Sequence, residues 1–438
     1  MNQLLPSATT DNKGGNAMKN YLAFFACLAL LLTLAGCQTD PNGIASKMGF
    51  STPDNDAVIN SETLVGSYDT ALSAIERGDL TAAYEQLTHC DDPRAAELLE
   101  KLVFVPTSSL SETDKNMTFS RKYTYDDAGR IAIFVYTDKG RVTTSTYTYN
   151  DQGLLTKETT AYDTYTNVST YDYNDAGLLV HALHKDHQMG SDLTYTYDSA
   201  GNLIRMVEKN TDEYDKGRVE EYTYDDAGRR TGRKTIFSDN NWVQDTITYY
   251  EDGAIASESD YWCESGIYNL TEYDRYGNIT REQYRKKDEV KQDAHYTYTY
   301  DEKGNVLQKA EGDIVLCTYT YDQDGKLLKE EAGSGYDVYT YDEAGNLLSV
   351  INEDGRGKQY RYDEHNRLIG WGYVSPEGET GSSYNYTLDE YGNKTTILAY
   401  NAGTNWTINI SWELRYYPDG VPEDVQEAIE GVPSDPHD

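Results

Sequence analysis

The chain has 438 residues and a formal net charge of -36, from 74 Asp and Glu against 38 Lys and Arg, and it contains 41 tyrosines. That acidic balance excludes nucleic-acid binding by phosphate neutralisation, which needs clustered Lys and Arg, and it disfavours an anionic membrane surface as partner of the folded body. Aliphatic residues are scarce enough to suggest disorder, but tyrosine fills the deficit by burying a ring while its hydroxyl stays wet, which predicts an aromatic core.

Residues 1–37 read as targeting rather than fold. Lys19 gives a positive start, Tyr21 to Leu34 is an apolar run shorter than a bilayer span, and small residues follow. Leu34-Ala35-Gly36-Cys37 resembles the lipobox of bacterial lipoproteins. That resemblance implies cleavage just before Cys37, a diacylglycerol thioether on its sulfur, and a location in the bacterial cell envelope facing outside the cytoplasm. An ordinary cleaved signal peptide with an incidental Cys is the alternative, and Met18 is an alternative start to Met1.

Residues 38–56, rich in polar residues, Gly and Pro, are expected to form a flexible tether. A small helical domain is expected over 57–105. Leu64, Tyr68, Leu72 and Ile75 recur at helical spacing, Gly78-Asp79 breaks the run, Leu80 to Leu87 resumes it, and Pro93 opens a third segment. The Gly-Asp-Leu junction is similar to one tetratricopeptide-type hairpin, too short an array for a peptide groove. Its expected job is to cap the first edge of the β-sheet that the rest of the chain builds.

From 119 to 420 one phrase repeats. In Tyr195-Thr-Tyr197-Asp198-Ser-Ala-Gly201-Asn-Leu203-Ile204 the two rings leave one face of a strand, Asp-x-x-Gly turns the chain, and Asn202-Leu203-Ile204 begins the return. The Gly recurs at 129, 153, 177 and 201, then at 228, 253, 277, 304, 325, 345, 392 and 420, with Asn366 filling one gap. A period of this length marks a repeat architecture. About thirteen hairpins supply about 26 strands, roughly 125 Å of sheet at ~4.8 Å per strand, so the sheet must coil. The expected fold is all-β: a coiled or spiralling antiparallel sheet of β-hairpins with a small α-helical cap and an acidic tail over 421–438.

Tyr-x-Tyr-Asp-x-x-Gly-Asn/Arg-Leu resembles the YD repeat of bacterial RHS-type surface and toxin-shell proteins. The resemblance implies a spiralling shell or stalk and an association with carbohydrate. Toxin members also carry a self-cleaving core region. Tyr416-Tyr417-Pro418-Asp419-Gly420 and the short tail after it leave no room for that core, so a toxin is not expected.

The expected binding residues are the tryptophans Trp242, Trp262, Trp371, Trp406 and Trp412, because all five fall in connections between the repeated phrases, and loops on a rigid scaffold carry function. Packing is the alternative for each. His181-x-x-His184-x-x-His187 puts successive rings on opposite faces of a strand, which argues against a metal; Asp322-Gln-Asp324-Gly325 echoes part of a calcium loop but is explained as a turn. Cys90, Cys263 and Cys317 suggest no disulfide framework, although a Cys263/Cys317 bridge is open if neighbouring strands join them. No nucleophile elbow, phosphate loop or zinc-protease helix occurs. The chain is therefore expected to be no enzyme and to need no cofactor. It is expected to be a lipid-anchored surface module for binding or adhesion, toward glycan or cell-wall polysaccharide; a structural or protein-interaction scaffold of the envelope is the alternative.

Overall fold

Each repeated phrase folds as the hairpin its residues dictate. In the fourth copy the Asp198 carboxylate accepts hydrogen bonds from the backbone N–H groups of Ala200 and Asn202, both at 2.9 Å. Gly201 closes the corner at φ 89°, and Asn366, the one substitute, takes φ 61°. Hydrogen bonds from the Asn202 side chain and backbone hold the Asp198 carboxyl below its usual range. The register slips by one residue between Thr196 and Tyr197, a bulge that recurs beside the corners and adds twist.

The computed structural model describes residues 66–115, 118–211, 216–401 and 403–432. The lipobox with Cys37, the tether and residues 433–438 lie outside them. Three helices open the described chain: α1 (Tyr68–Glu76), α2 (Leu80–Thr88) and α3 (Arg94–Leu99). Ser67 caps α1 by accepting from Thr70 N–H, and Asp79 caps α2 by accepting from Ala82 N–H. Twenty-six strands follow, β1 (Leu102–Thr113) to β26 (Thr404–Tyr416), and then α4 (Glu423–Glu430).

Every strand pairs antiparallel with its sequence neighbour, and β1 also pairs with β26, from Leu102 opposite Tyr416 to Thr113 opposite Trp406. The sheet is therefore a closed barrel, and the expected spiral is corrected: closure removes the two edges a coil would leave bare. Twelve corners join β2 (Thr118–Tyr125) through to β25 (Lys394–Asn401). The thirteenth, Tyr417-Pro418-Asp419-Gly420, makes no hairpin. It leads into α4, and β1, which carries no Tyr-x-Tyr pair, supplies the missing strand.

One contact explains why the ring before Asp is tyrosine rather than phenylalanine. The pairing of β7 (Leu179–Lys185) with β8 (Gly190–Tyr197) stops at His181 opposite Thr194, which leaves the Leu179 carbonyl beyond the ladder. Tyr197 Oη donates to it at 2.8 Å. The same clasp links Tyr125 to Pro106, Tyr149 to Ile131, Tyr173 to Leu155, Tyr224 to Leu203, Tyr249 to Arg230 and Tyr341 to Leu327, all at 2.7–2.9 Å; in the copy that ends at Asp301 the first ring of the pair, Tyr298, takes the Ile279 carbonyl instead. Repeat is thus tied to repeat through hydroxyls as well as ladders. Tyr197→Phe keeps the ring and strands one carbonyl, so unfolding free energy should fall by about 1–3 kcal/mol, measured by chemical denaturation; no change would remove the clasp.

The tyrosines of the Tyr-x-Tyr pairs share one face, and the buried wall residues Tyr171, Ala182, Leu193, Tyr195, Met206, Tyr384 and Ile397 lie on it. At the seam, alternate residues of β1 meet different helices. Leu102 packs with α1–α3, and Tyr84 of α2 sets its ring edge-on to Phe104 and Tyr391. Val105 packs instead with Val425 and Ala428 of α4. The helical cap thus sits over the closure rather than over an open edge. Asp424 accepts from Ile131 N–H and Tyr149 Oη, each at 3.0 Å, and Tyr417 Oη donates to the Gly129 carbonyl at 2.9 Å.

Candidate functional site

The five tryptophans do not lie in loops. Trp371 is in β23 (Leu368–Ser375), Trp406 and Trp412 are in β26, Trp242 begins β12 (Trp242–Tyr249) and Trp262 ends β13 (Ile255–Trp262). The reason is that outgoing and return strands meet away from the Asp-x-x-Gly corners in tight turns such as Lys139-Gly140, so little loop is left.

Trp371, Trp406 and Trp412 converge on one packed cluster with Tyr384, Tyr386, Ile397 and Ile408. Trp371 stacks on Tyr384 at 4.4 Å between centroids and donates Nε1–H to Tyr386 Oη at 3.0 Å. Trp412 Nε1–H donates to the Lys394 carbonyl at 2.8 Å, the place a clasp tyrosine holds in other repeats. Trp406 is only 9% exposed and stacks against Phe119. Their rings are occupied by the protein itself.

Trp262 is different: it is 49% exposed. Cross-strand register aligns Tyr222, Arg233, Asp245, Asp260 and Asn269 on the tyrosine face, with Val243 and Ile267 opposite Trp262 in the next row. Arg233, Asp245, Asp260, Asn269, Val243 and Trp262, with Thr235 and Phe237, line a groove of about 470 Å³. Its polar groups are held in place. Asp260 accepts from Trp262 Nε1–H at 2.8 Å and from Asn269 Nδ2 at 3.0 Å, and Arg233 pairs with Asp245 at 2.8 Å. Burial alone would lower the Arg233 guanidinium, but the Asp245 carboxylate holds it above its usual value. An open aromatic face beside fixed acceptors and donors suits a polyhydroxylated ring, with the apolar side on Trp262 and the hydroxyls at Asp260, Asn269 and Arg233. Asp260, Asn269 and Arg233 were not separable from the many carboxylates and cations by sequence; only register groups them.

Trp242 points to the opposite face, 5.3 Å from Tyr261 between centroids, with Lys234 Nζ 4.6 Å over its ring. The three clustered histidines part company. His181 lies between Asp172 at 3.0 Å and Asp192 at 3.1 Å, which hold its pKa up; His184 meets Ser169 Oγ at 2.8 Å, its pKa lowered by burial; His187 stacks on Tyr165. Asp322 accepts from the N–H groups of Asp324 and Lys326, as a turn residue. Cys263 follows β13 and Cys317 lies in β18 (Ile314–Tyr321), with four strands between them, so the conditional bridge is corrected: both thiols are free.

The crystal structure of TcdB2-TccC3-TEV is similar over 65% of this chain and 18% of its own, at 13% identity and a TM-score of 0.36. That of TcdB2-TccC3-Cdc42 is similar over 66% of this chain and 22% of its own, at 14% identity and a TM-score of 0.32. A porin-like protein from Bacteroides uniformis is similar over 70% of this chain and 96% of its own, at 15% identity and a TM-score of 0.20. This chain thus spans less than a quarter of the first two of those chains. No curated protein matches it. Residues 341–380 match the RHS repeat family model. That window runs from the clasp tyrosine Tyr341 through two Asp corners to just past the turn after β23, so the hairpins within it are similar to RHS repeats.

Proposed function

We propose that the chain is a non-catalytic scaffold of the bacterial cell envelope, tethered through lipid on Cys37, whose barrel binds glycan or cell-wall polysaccharide in the Trp262 groove. The observation that carries the binding is Trp262 itself, a half-exposed indole whose N–H and neighbours are already fixed by Asp260, Asn269 and Arg233. Preformed sites lose little conformational freedom on binding, which favours ligand recognition by this groove over its neighbours. No catalytic step is assigned, since the groove carboxylates are engaged as acceptors and ion-pair partners.

A glycan array probed with the full chain tests this. Hits are expected, and Trp262→Ala should abolish them, whereas Tyr276→Ala, which removes a 70% exposed ring from a corner turn, should not. A silent array, or hits that survive Trp262→Ala, would overturn the groove and leave a scaffold for protein partners.

A further inference from the structure

Away from the corners the sheet departs from its own geometry at one place. Where β23 pairs with β24 (Gly378–Leu388), Gly372 faces Ser383 but Val374 faces Glu379, a slip of two residues. Every other slip in the described sheet is of one. Tyr373 therefore stands opposite residues 380–382, and Gly378 and Gly381 carry the excursion at φ 120° and 73°. Beside it opens a cavity of about 440 Å³, lined by Arg356, Tyr373, Val374, Ser375, Glu377 and Gly381. That volume suits one small molecule rather than a polymer.

Its lining brings together one cation, one anion and one ring. Arg356 is exposed just before β22 (Gly357–Tyr362). Glu377 sits in the turn between β23 and β24, where Ser375 Oγ donates to its Oε2 at 2.7 Å and accepts from its N–H at 3.2 Å. That Ser375 bond holds the Glu377 carboxyl below its usual range, and the Arg356 charge adds to the effect. Tyr373 is 40% exposed. Lys358, its cross-strand partner, lies 5.3 Å from the ring centroid, and Trp371 meets the ring edge-on at 5.8 Å. A Cβ at Gly381 would sit 3.6 Å from the Tyr373 Cβ, so the glycine leaves the ring open on that side.

We propose that this cavity binds a free α-amino acid with an apolar side chain. The planar Arg356 guanidinium takes the α-carboxylate, Glu377 takes the α-ammonium, and the side chain rests on Tyr373. Charge separates this ligand from the alternatives. A sugar would leave a guanidinium and a carboxylate unmatched, and a simple anion or cation would meet a like charge. A peptide carries its ammonium and its carboxylate on different residues. The cavity shares no residue with the Trp262 groove, so either can fail without the other.

Isothermal titration calorimetry on the full chain tests this with L-phenylalanine, with N-acetyl-L-phenylalanine, which lacks the ammonium, and with phenethylamine, which lacks the carboxylate. L-Phenylalanine should bind, and each analogue should bind at least about tenfold more weakly. Arg356→Gln should weaken phenylalanine by about tenfold or more and leave phenethylamine unchanged. Glu377→Gln should do the same to phenylalanine and leave the N-acetyl compound unchanged. Trp262→Ala should bind phenylalanine as the wild type does, and all variants should keep the wild-type circular dichroism. No binding of phenylalanine, equal binding of the analogues, or loss of phenethylamine along with phenylalanine in Arg356→Gln would overturn the site.

Discussion

Val425→Asp is expected to unlatch the barrel. Val425 is 0% exposed and packs between α4 and Val105 of β1, so the new carboxylate would be buried without a partner or α4 would leave the wall. The expected loss is about 3–5 kcal/mol, because an uncompensated buried charge costs far more than the methyl groups it replaces. The effect should be local at first. Amide exchange should rise in β1, which α4 covers at Val105, and at Ile131, whose N–H Asp424 accepts, while β8 and β9 (Leu203–Asn210), inside a separate buried cluster, stay protected. Uniform exchange throughout the wall would mean that α4 is no latch.

Trp406→Ala is expected to act on stability and not on recognition. Trp406 is buried against Phe119 and Ala399 in the cluster that also takes Trp371 and Trp412. Removing a buried indole should cost about 3–5 kcal/mol in chemical denaturation. Trp262→Ala, half in solvent, should cost about 0.5 kcal/mol or less. The opposite ranking would mean that the two rings have been assigned to the wrong environments.

Much of the wall was legible in the sequence because its signals are local. Alternating tyrosines, an Asp that folds onto its own backbone and a left-handed Gly or Asn specify a hairpin within ten residues, and repetition does the rest. The number of strands came from the same signals, although one corner was credited with a hairpin that β1 in fact supplies. Closure was not legible. Leu102–Thr113 has no Tyr-x-Tyr pair, and its partner, Thr404–Tyr416, lies at the other end of the chain. The last helix was hidden by charge: Glu423–Glu430 reads as part of an acidic tail unless Val425, Ala428 and Ile429 are seen to share a side. Trp371 and Trp406 misled for a related reason. Anything between two corners looked like connection, whereas long strands and tight far-end turns fill that space, and burial there depends on cross-strand neighbours that one sequence does not display.

The closed wall is tested most directly by a disulfide across the seam. Glu112 of β1 faces Thr407 of β26, and Thr146 faces Thr159 within one ordinary hairpin. With the native cysteines replaced by serine, Glu112→Cys/Thr407→Cys should oxidise as readily as Thr146→Cys/Thr159→Cys and migrate as a compact species on denaturing gels. Efficient cross-linking of the hairpin pair with none across the seam would contradict the barrel and restore an open, spiralling sheet.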